Sequence, residues 1–251
     1  MAGTFRAGID VGSTTVKLAV LDANDRLIFH TYERHRADIR GTLVAVMEAA
    51  GEALEAEGPG VSLQAAVTGS GGLSVSRWLD LPFVQEVLAG SRAVQRFIPD
   101  TDVAIELGGE DAKITYFTGG LEQRMNGTCA GGTGAFIDQM ATLLSTDAAG
   151  LNELARGRKT IYPIAARCGV FAKTDVQPLI NEGARREDIA ASILQAVVNQ
   201  TISGLACGKP IRGNVAFLGG PLHFLPETRR LFESTLGLAA DAVRVPEHAS
   251  N

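Results

Sequence analysis

Two cysteines lie in segments that favour a thiolate: Cys129 in NGTCAGGTGAFIDQMA and Cys168 in AARCGVFAKTDVQPLI. Each precedes a pattern that starts a helix, and a thiol at a helix N-terminus feels the positive end of the dipole. Thiolates are what iron–sulfur clusters and soft metals take as ligands. Two thiols per chain are half of a four-cysteine site, and a symmetric dimer supplies the other half across its axis. The same chain carries four glycine-rich turns: Gly12–Ser13–Thr14–Thr15, Gly108–Gly109, Gly131–Gly132–Thr133–Gly134 and Gly219–Gly220. Turns without Cβ atoms let backbone N–H groups reach phosphate oxygens. The third turn also opens a helix, whose free N–H groups suit a phosphate. At the fourth, a nucleoside can slide close to the backbone. Asp10 and Glu106 each close a strand and are candidates to hold Mg2+, mostly through water. Lys17 is a candidate to neutralise phosphate charge. No GxxxxGK[ST] run occurs, so this is not a P-loop enzyme. A nucleotide site together with half a cluster site points to ATP-driven electron donation.

The elements that must position these groups read as two related halves. FRAGIDV, VKLAVLD and RLIFHTYER form an antiparallel meander. IRGTLVAVMEAAGEALEAEG has helical spacing at Leu43, Val46, Met47, Ala50 and Leu54, and Gly58–Pro59–Gly60 ends it. LQAAVTGSGG reads as a buried strand closing in a glycine turn, and a helix over about 85–97 precedes Pro99. DVAIELGGEDAKITYF then repeats AGIDVGSTTVKLAVL: an acid at the strand end, glycines, and a lysine further on, Lys113 matching Lys17. Helices are expected over about 132–143, 148–156, 174–182 and 186–206, then a strand in NVAFLGGPL and a helix after Pro221. The expected class is α/β, with halves at 1–97 and 98–251 facing one cleft.

Composition narrows the setting. The chain has 251 residues, 45% hydrophobic, and a net charge of -5 with pI about 5.4, so nothing argues for nucleic acid or an anionic membrane. Three cysteines do not make a secreted disulfide framework. There is no signal-like apolar region and no run of about 18 apolar residues, so a reducing cytoplasm and no membrane are expected. Cys207, near a helix end, reads as structural. His30, His35, His223 and His248 show no ligand spacing, and Asp138 and Asp175 read as helix-surface or capping groups. Ile189, Ile193, Ala196 and Val197 form a core stripe. Arg185, Arg186, Glu187 and Asp188 read as a solvated charge cluster.

GIDVGSTTVKLAVLD, IELGGEDAKI and VAFLGGP resemble the phosphate-1, phosphate-2 and adenosine motifs of the superfamily of actin, heat-shock chaperones and sugar kinases. NGTCAGGTGAFIDQMA and RCGVFAKTDVQPLINEG resemble the activators of 2-hydroxyacyl-CoA dehydratases and the related benzoyl-CoA reductase ATPase subunits, over nearly the whole chain. The resemblance implies two actin-like (ribonuclease H-like) halves with mixed five-stranded sheets and a nucleotide cleft between them. It implies ATP or ADP with Mg2+, and a homodimer holding one [4Fe–4S] cluster through Cys129 and Cys168 of each subunit. It also implies a dehydratase or reductase iron–sulfur protein as electron acceptor, and a low-potential reductant such as ferredoxin or flavodoxin. Phosphate contacts fall on Gly12, Ser13, Thr14, Thr15, Gly108, Gly109, Gly132, Thr133 and Gly134, with Gly219 and Gly220 beside the adenosine. The chain departs from the family at Glu106 and Glu110, where an Asp and a Gln are common, which puts metal geometry and water positioning at issue. It stops at VPEHASN where members continue into a small-residue helix, so either this is a segment of a longer, fused protein, a reading favoured by the resemblance of YERHRADIRGTL to such long versions, or that helix is missing.

In the mechanism these readings imply, hydrolysis removes the bridge that the γ-phosphate makes between the halves, and the resulting rotation alters the cluster's surroundings. The alternative is a sugar or amino-sugar kinase on the same scaffold, with Glu106 or Asp111 as base. It leaves the paired cysteines without a use.

Overall fold

The computed structural model describes residues 4–58, 60–126, 131–165 and 169–250. Cys129 and Cys168 therefore lie outside the described residues. The chain divides into two compact units, one running to Val94 and the other from Gln95 to Ser250.

The first unit contains β1 (Thr4–Val11), β2 (Thr15–Leu21), β3 (Leu27–Arg34), α1 (Ile39–Glu55), β4 (Ser62–Thr68), α2 (Gly72–Leu79) and the start of α3 (Glu86–Phe97). Alternation buries Phe5, Ala7, Ile9 and Val11 on one face of β1. Helical spacing turns Leu43, Val46, Ala50 and Leu54 of α1 into the same core. Met47, expected among them, is 40% exposed, because it lies just off that stripe. Asp38 caps α1 through the Gly41 N–H. The sheet order is β3-β2-β1-β4, with β4 parallel to β1. A fifth strand was expected here. Its place beyond β4 is taken by a single parallel bridge between Val67 and Phe83. With so little beyond it, β4 is not the buried strand its composition suggests: only Val67 is buried, and Leu63 is 46% exposed. Helix α2 was not anticipated, since its start hides in the glycine run after Thr68.

The second unit contains β5 (Val103–Leu107), β6 (Ala112–Tyr116), β7 (Glu122–Met125), α4 (Gly134–Leu143), α5 (Ala148–Ala155), α6 (Gly169–Asn181), α7 (Arg186–Thr201), β8 (Val215–Leu218), α8 (Gly220–Phe224), α9 (Pro226–Leu236) and β9 (Val243–Arg244). Its order, β7-β6-β5-β8-β9, repeats that of the first sheet and completes the fifth position. Helix α7 is the axis of this core, with Ile189, Ile193, Ala196 and Val197 all buried, and it continues as a π-helical turn over Ile202–Ala206. Arg186–Ala206 is apolar enough to satisfy a membrane-span criterion, but 67% of its apolar window is buried inside the protein. Helix α6 starts at Gly169, earlier than expected, and accommodates Pro178 internally.

Asp188 corrects the reading of a solvated charge cluster. It is 3% exposed, and its Oδ1 accepts the N–H groups of Lys159 (2.6 Å) and Thr160 (3.0 Å). Those donors favour the charged form and hold the carboxyl below the ordinary aspartate value of 3.8. The unfolded chain therefore takes up the proton first as pH falls. The contribution of Asp188 is fully present above about pH 3.8 and is lost as pH drops through the lower folded value. Asp188→Asn is expected to lower the urea midpoint at pH 7, with the difference from wild type shrinking below pH 3.8. Paired urea titrations at both pH values check this. An unchanged difference would remove Asp188 from the acid response.

Candidate functional site

In the first unit, Asp10 and Lys17 are register partners across the β1–β2 hairpin, and Lys17 Nζ lies 2.7 Å from Asp10 Oδ2. Lys17 also sits 5.8 Å from the centre of the Tyr32 ring. The lysine charge is thus already answered by Asp10 and fixes the carboxylate's orientation. The other oxygen, Oδ1, is buried and accepts no hydrogen bond among the described residues. Thr68 Oγ1, one strand over, is buried and unpartnered in the same way. Gly69 follows with φ of 92°, and a Cβ there would lie 2.3 Å from Asp10 Oδ1 and 2.5 Å from the Val11 carbonyl oxygen. Only glycine tolerates that approach.

The turn between β1 and β2 closes through Gly12 N–H donating to the Thr15 carbonyl at 2.9 Å. Ser13 is exposed, Thr14 half-buried and Thr15 buried. Asp10 Oδ1 has the chemistry a hydrated Mg2+ needs: a hard, charged oxygen without a protein donor, beside a hydroxyl in the same state. Among the described residues, no group of three or more His, Cys, Asp or Glu side chains gathers into a metal cage. A cation held mostly through water does not require one.

The second unit repeats the arrangement. Glu106 and Lys113 are register partners with Nζ 3.1 Å from Oε1, and Asp111 Oδ2 is 3.1 Å from the same nitrogen. Lys113 is buried, so two carboxylates neutralise it. Glu110 is exposed in the turn. Gly108 N–H donates to the Asp111 carbonyl at 2.7 Å, the counterpart of the Gly12–Thr15 bond.

Three glycine segments converge in this unit. The N–H groups of Gly134 and Ala135, at the start of α4, donate to the carbonyls of Gly108 (2.9 Å) and Gly109 (2.7 Å). The turn's carbonyls thus satisfy two of the orphan donors at the helix start, which leaves fewer free N–H groups there for a phosphate. A Cβ on Gly134 would meet Gly108 O at 3.2 Å and Pro221 Cγ at 3.3 Å. Gly132, with φ of 83°, lies against Gln200, and Thr133 is fully buried. Gly219 joins the group from the end of β8 and donates its N–H to the Ala249 carbonyl at 2.7 Å. Gly220 begins α8 with Pro221.

Gly219 has φ of 87° and ψ of 158°, and a Cβ there would lie 2.1 Å from the Leu107 carbonyl oxygen. That backbone region is essentially glycine's alone. Gly219→Ala is expected to cost about 3 kcal/mol, from strain of about 1–3 kcal/mol plus a backbone overlap that cannot be relieved by a side-chain rotation. Chemical denaturation measures it. A loss below about 1 kcal/mol would mean that the β8 end relaxes freely.

Cys207 is an exposed free thiol rather than a packed one. It closes the π-helical turn with φ of 46°, and its Sγ contacts the Gly204 carbonyl at 3.3 Å. Sequence reasoning missed Thr68 and Gly69 as site residues, and took Asp111 only as a possible kinase base. A signal existed for Gly69: extending the internal repeat places VTGSGG opposite FLGGP, so Gly69 occupies the place of Gly219.

The model of the BadF/BadG/BcrA/BcrD ATPase family matches residues 7–232. The 2-hydroxyisocaproyl-CoA dehydratase activator of Clostridioides difficile is 33% identical over 140 residues, which is 55% of this chain and 52% of that protein, so the match spans about half the relative's length. The crystal structure of component A of (R)-2-hydroxyglutaryl-CoA dehydratase from Acidaminococcus fermentans superposes with a TM-score of 0.86 at 25% identity, covering 98% of this chain and 93% of that one. The C. difficile activator with bound ADPNP superposes at 0.84 and 26%, covering 97% and 88%. A ROK-family glucokinase from Streptomyces griseus reaches only 0.51 and 16%, a likeness of fold alone.

Proposed function

Since the chain belongs to the BadF/BadG/BcrA/BcrD ATPase family, we propose that it hydrolyses ATP to drive single electrons into a 2-hydroxyacyl-CoA dehydratase or a related iron–sulfur reductase. The observation that carries the ATPase part is the duplicated hairpin. Asp10 with Lys17, and Glu106 with Lys113, close equivalent glycine turns in equivalent register. The electron-donor part is supported by the two cysteine segments and by the similarity to dehydratase activators.

In this reading Gly12–Thr15 in the first unit and Gly108–Gly109 in the second are phosphate-binding turns, and Gly219 and Gly220 form the turn that takes the adenosine. Lys17 fixes Asp10 through Oδ2, which leaves Oδ1 aimed at the cation's water. Mg2+, when bound, shields the phosphate charge. Two copies of the chain, or a second copy within a fused protein, share one [4Fe–4S] cluster through Cys129 and Cys168 of each. The two-thiol donor set of one chain suits half of such a cluster, which when bound holds one transferable electron at low potential. The thiolates need a reducing, cytoplasmic setting, and a ferredoxin or flavodoxin is the proposed source of the electron.

The test mixes dithionite-reduced protein with an oxidised dehydratase component, Mg2+ and ATP under anaerobic conditions. Reoxidation of the reduced protein in step with phosphate release, absent with AMPPNP, is the expected result. ATP consumption without electron transfer, with phosphate appearing on a sugar hydroxyl, would replace this reading with the kinase.

A further inference from the structure

Resting on the ATPase reading above, we propose that Thr68 is a positioning residue of the hydrolytic site, its hydroxyl binding the water shell of a divalent cation held beside Asp10. Asp10 and Thr68 are register partners on the parallel strands β1 and β4. Register partners on neighbouring strands place their side chains on the same sheet face. Asp10 Oδ1 and Thr68 Oγ1 are both buried, and among the described residues neither has a hydrogen-bond partner. Buried polar atoms are nearly always satisfied, so two neighbouring orphans call for one shared explanation. Gly69 places no Cβ against Oδ1, where one would lie 2.3 Å away.

The chemistry of the two atoms specifies the guest. A carboxylate oxygen only accepts, while a hydroxyl both donates and accepts. A phosphate oxygen beside Oδ1 would be repelled. A water on a cation donates to the carboxylate and exchanges hydrogen bonds with the hydroxyl, and its charge complements Asp10. The second unit supplies an internal control. There the register partner of Glu106 is Leu218, which has no hydroxyl, and neither carboxylate oxygen of Glu106 is a buried orphan. The duplicated hairpins are alike in acid, glycine and lysine, whereas the strand beside each acid carries a hydroxyl in the first unit and an apolar side chain in the second.

Thr68→Val keeps the shape and removes the hydroxyl, and Thr68→Ser restores it. Because Oγ1 has no protein partner to lose, the valine variant is expected to melt at or above the wild-type temperature. Calorimetric titration of Mg2+ into the protein–ADP complex is the main readout. The Mg2+ dissociation constant is expected to rise about 10–100-fold in Thr68→Val, as for other groups that orient metal-bound ligands, with hydrolysis falling similarly. ADP affinity without Mg2+ should stay within about twofold, and Thr68→Ser should return near wild type. Should valine lower the melting temperature, Thr68→Ala replaces it in the same comparison. Wild-type Mg2+ affinity and rate in the hydroxyl-free variant would overturn this inference alone. A wild-type chain that binds no ADP would overturn the ATPase reading itself.

Discussion

Asp10→Asn is expected to lower ATP hydrolysis about a thousandfold while leaving nucleotide binding within a few-fold. The estimate sits within the range of about 10²–10⁴ for removing a positioned acid–base or charged group. The geometry gives the reason. Lys17 Nζ is 2.7 Å from Asp10 Oδ2, so the asparagine will turn its carbonyl oxygen toward the lysine. Its amide nitrogen then takes the place of Oδ1, the oxygen left without a partner. A donor replaces an acceptor where a metal-bound water would need to donate, and the negative charge is gone. The fold should survive, because the hairpin ladder and the lysine contact both persist. Phosphate release and calorimetric ADP titration separate the two effects. A variant that binds ADP and still hydrolyses ATP at more than about a tenth of the wild-type rate would remove Asp10 from the chemistry.

The second large effect concerns iron. Cys129→Ser is expected to reduce bound iron below about a tenth of the wild-type content, because a serine hydroxyl does not supply the thiolate the metal requires. ADP affinity should change little, since the phosphate turns in both units keep their residues. Cys168→Ser should behave alike. Cys207→Ser, at an exposed thiol beside Gly204, should keep its iron and serves as the control. If Cys129→Ser carried a full cluster, the assignment of both cysteines would fall together.

The hairpins were legible in the sequence because two independent patterns coincide there. Period-two burial marks β1 and a short, almost continuously buried apolar run marks β5, and an acid, a glycine turn and a lysine recur in the same order. The register then places each acid directly opposite its lysine, a pairing that spacing around a tight turn nearly dictates. What sequence patterns did not reveal depends on distant partners. Asp188 looks like one of four surface charges until the loop at Lys159–Thr160 brings two N–H groups to it. The start of α4 looks like a free anion site until the Gly108 and Gly109 carbonyls occupy two of its donors. Met47 was read as core from its helical spacing and β4 from its apolar run, yet whether a face is covered depends on what packs there. Thr68 drew no attention because a threonine at a strand end is ordinary. Only the lack of any partner for its buried hydroxyl distinguishes it.

Iron and acid-labile sulfide per chain, determined with an absorption spectrum on strictly anaerobic protein, test the central claim most directly. The account predicts about two iron and two sulfide per chain, one [4Fe–4S] cluster for each pair of chains, with a broad visible band. Protein that binds ATP but holds no iron after anaerobic reconstitution would contradict it, leaving an ATPase in which Cys129 and Cys168 serve packing alone.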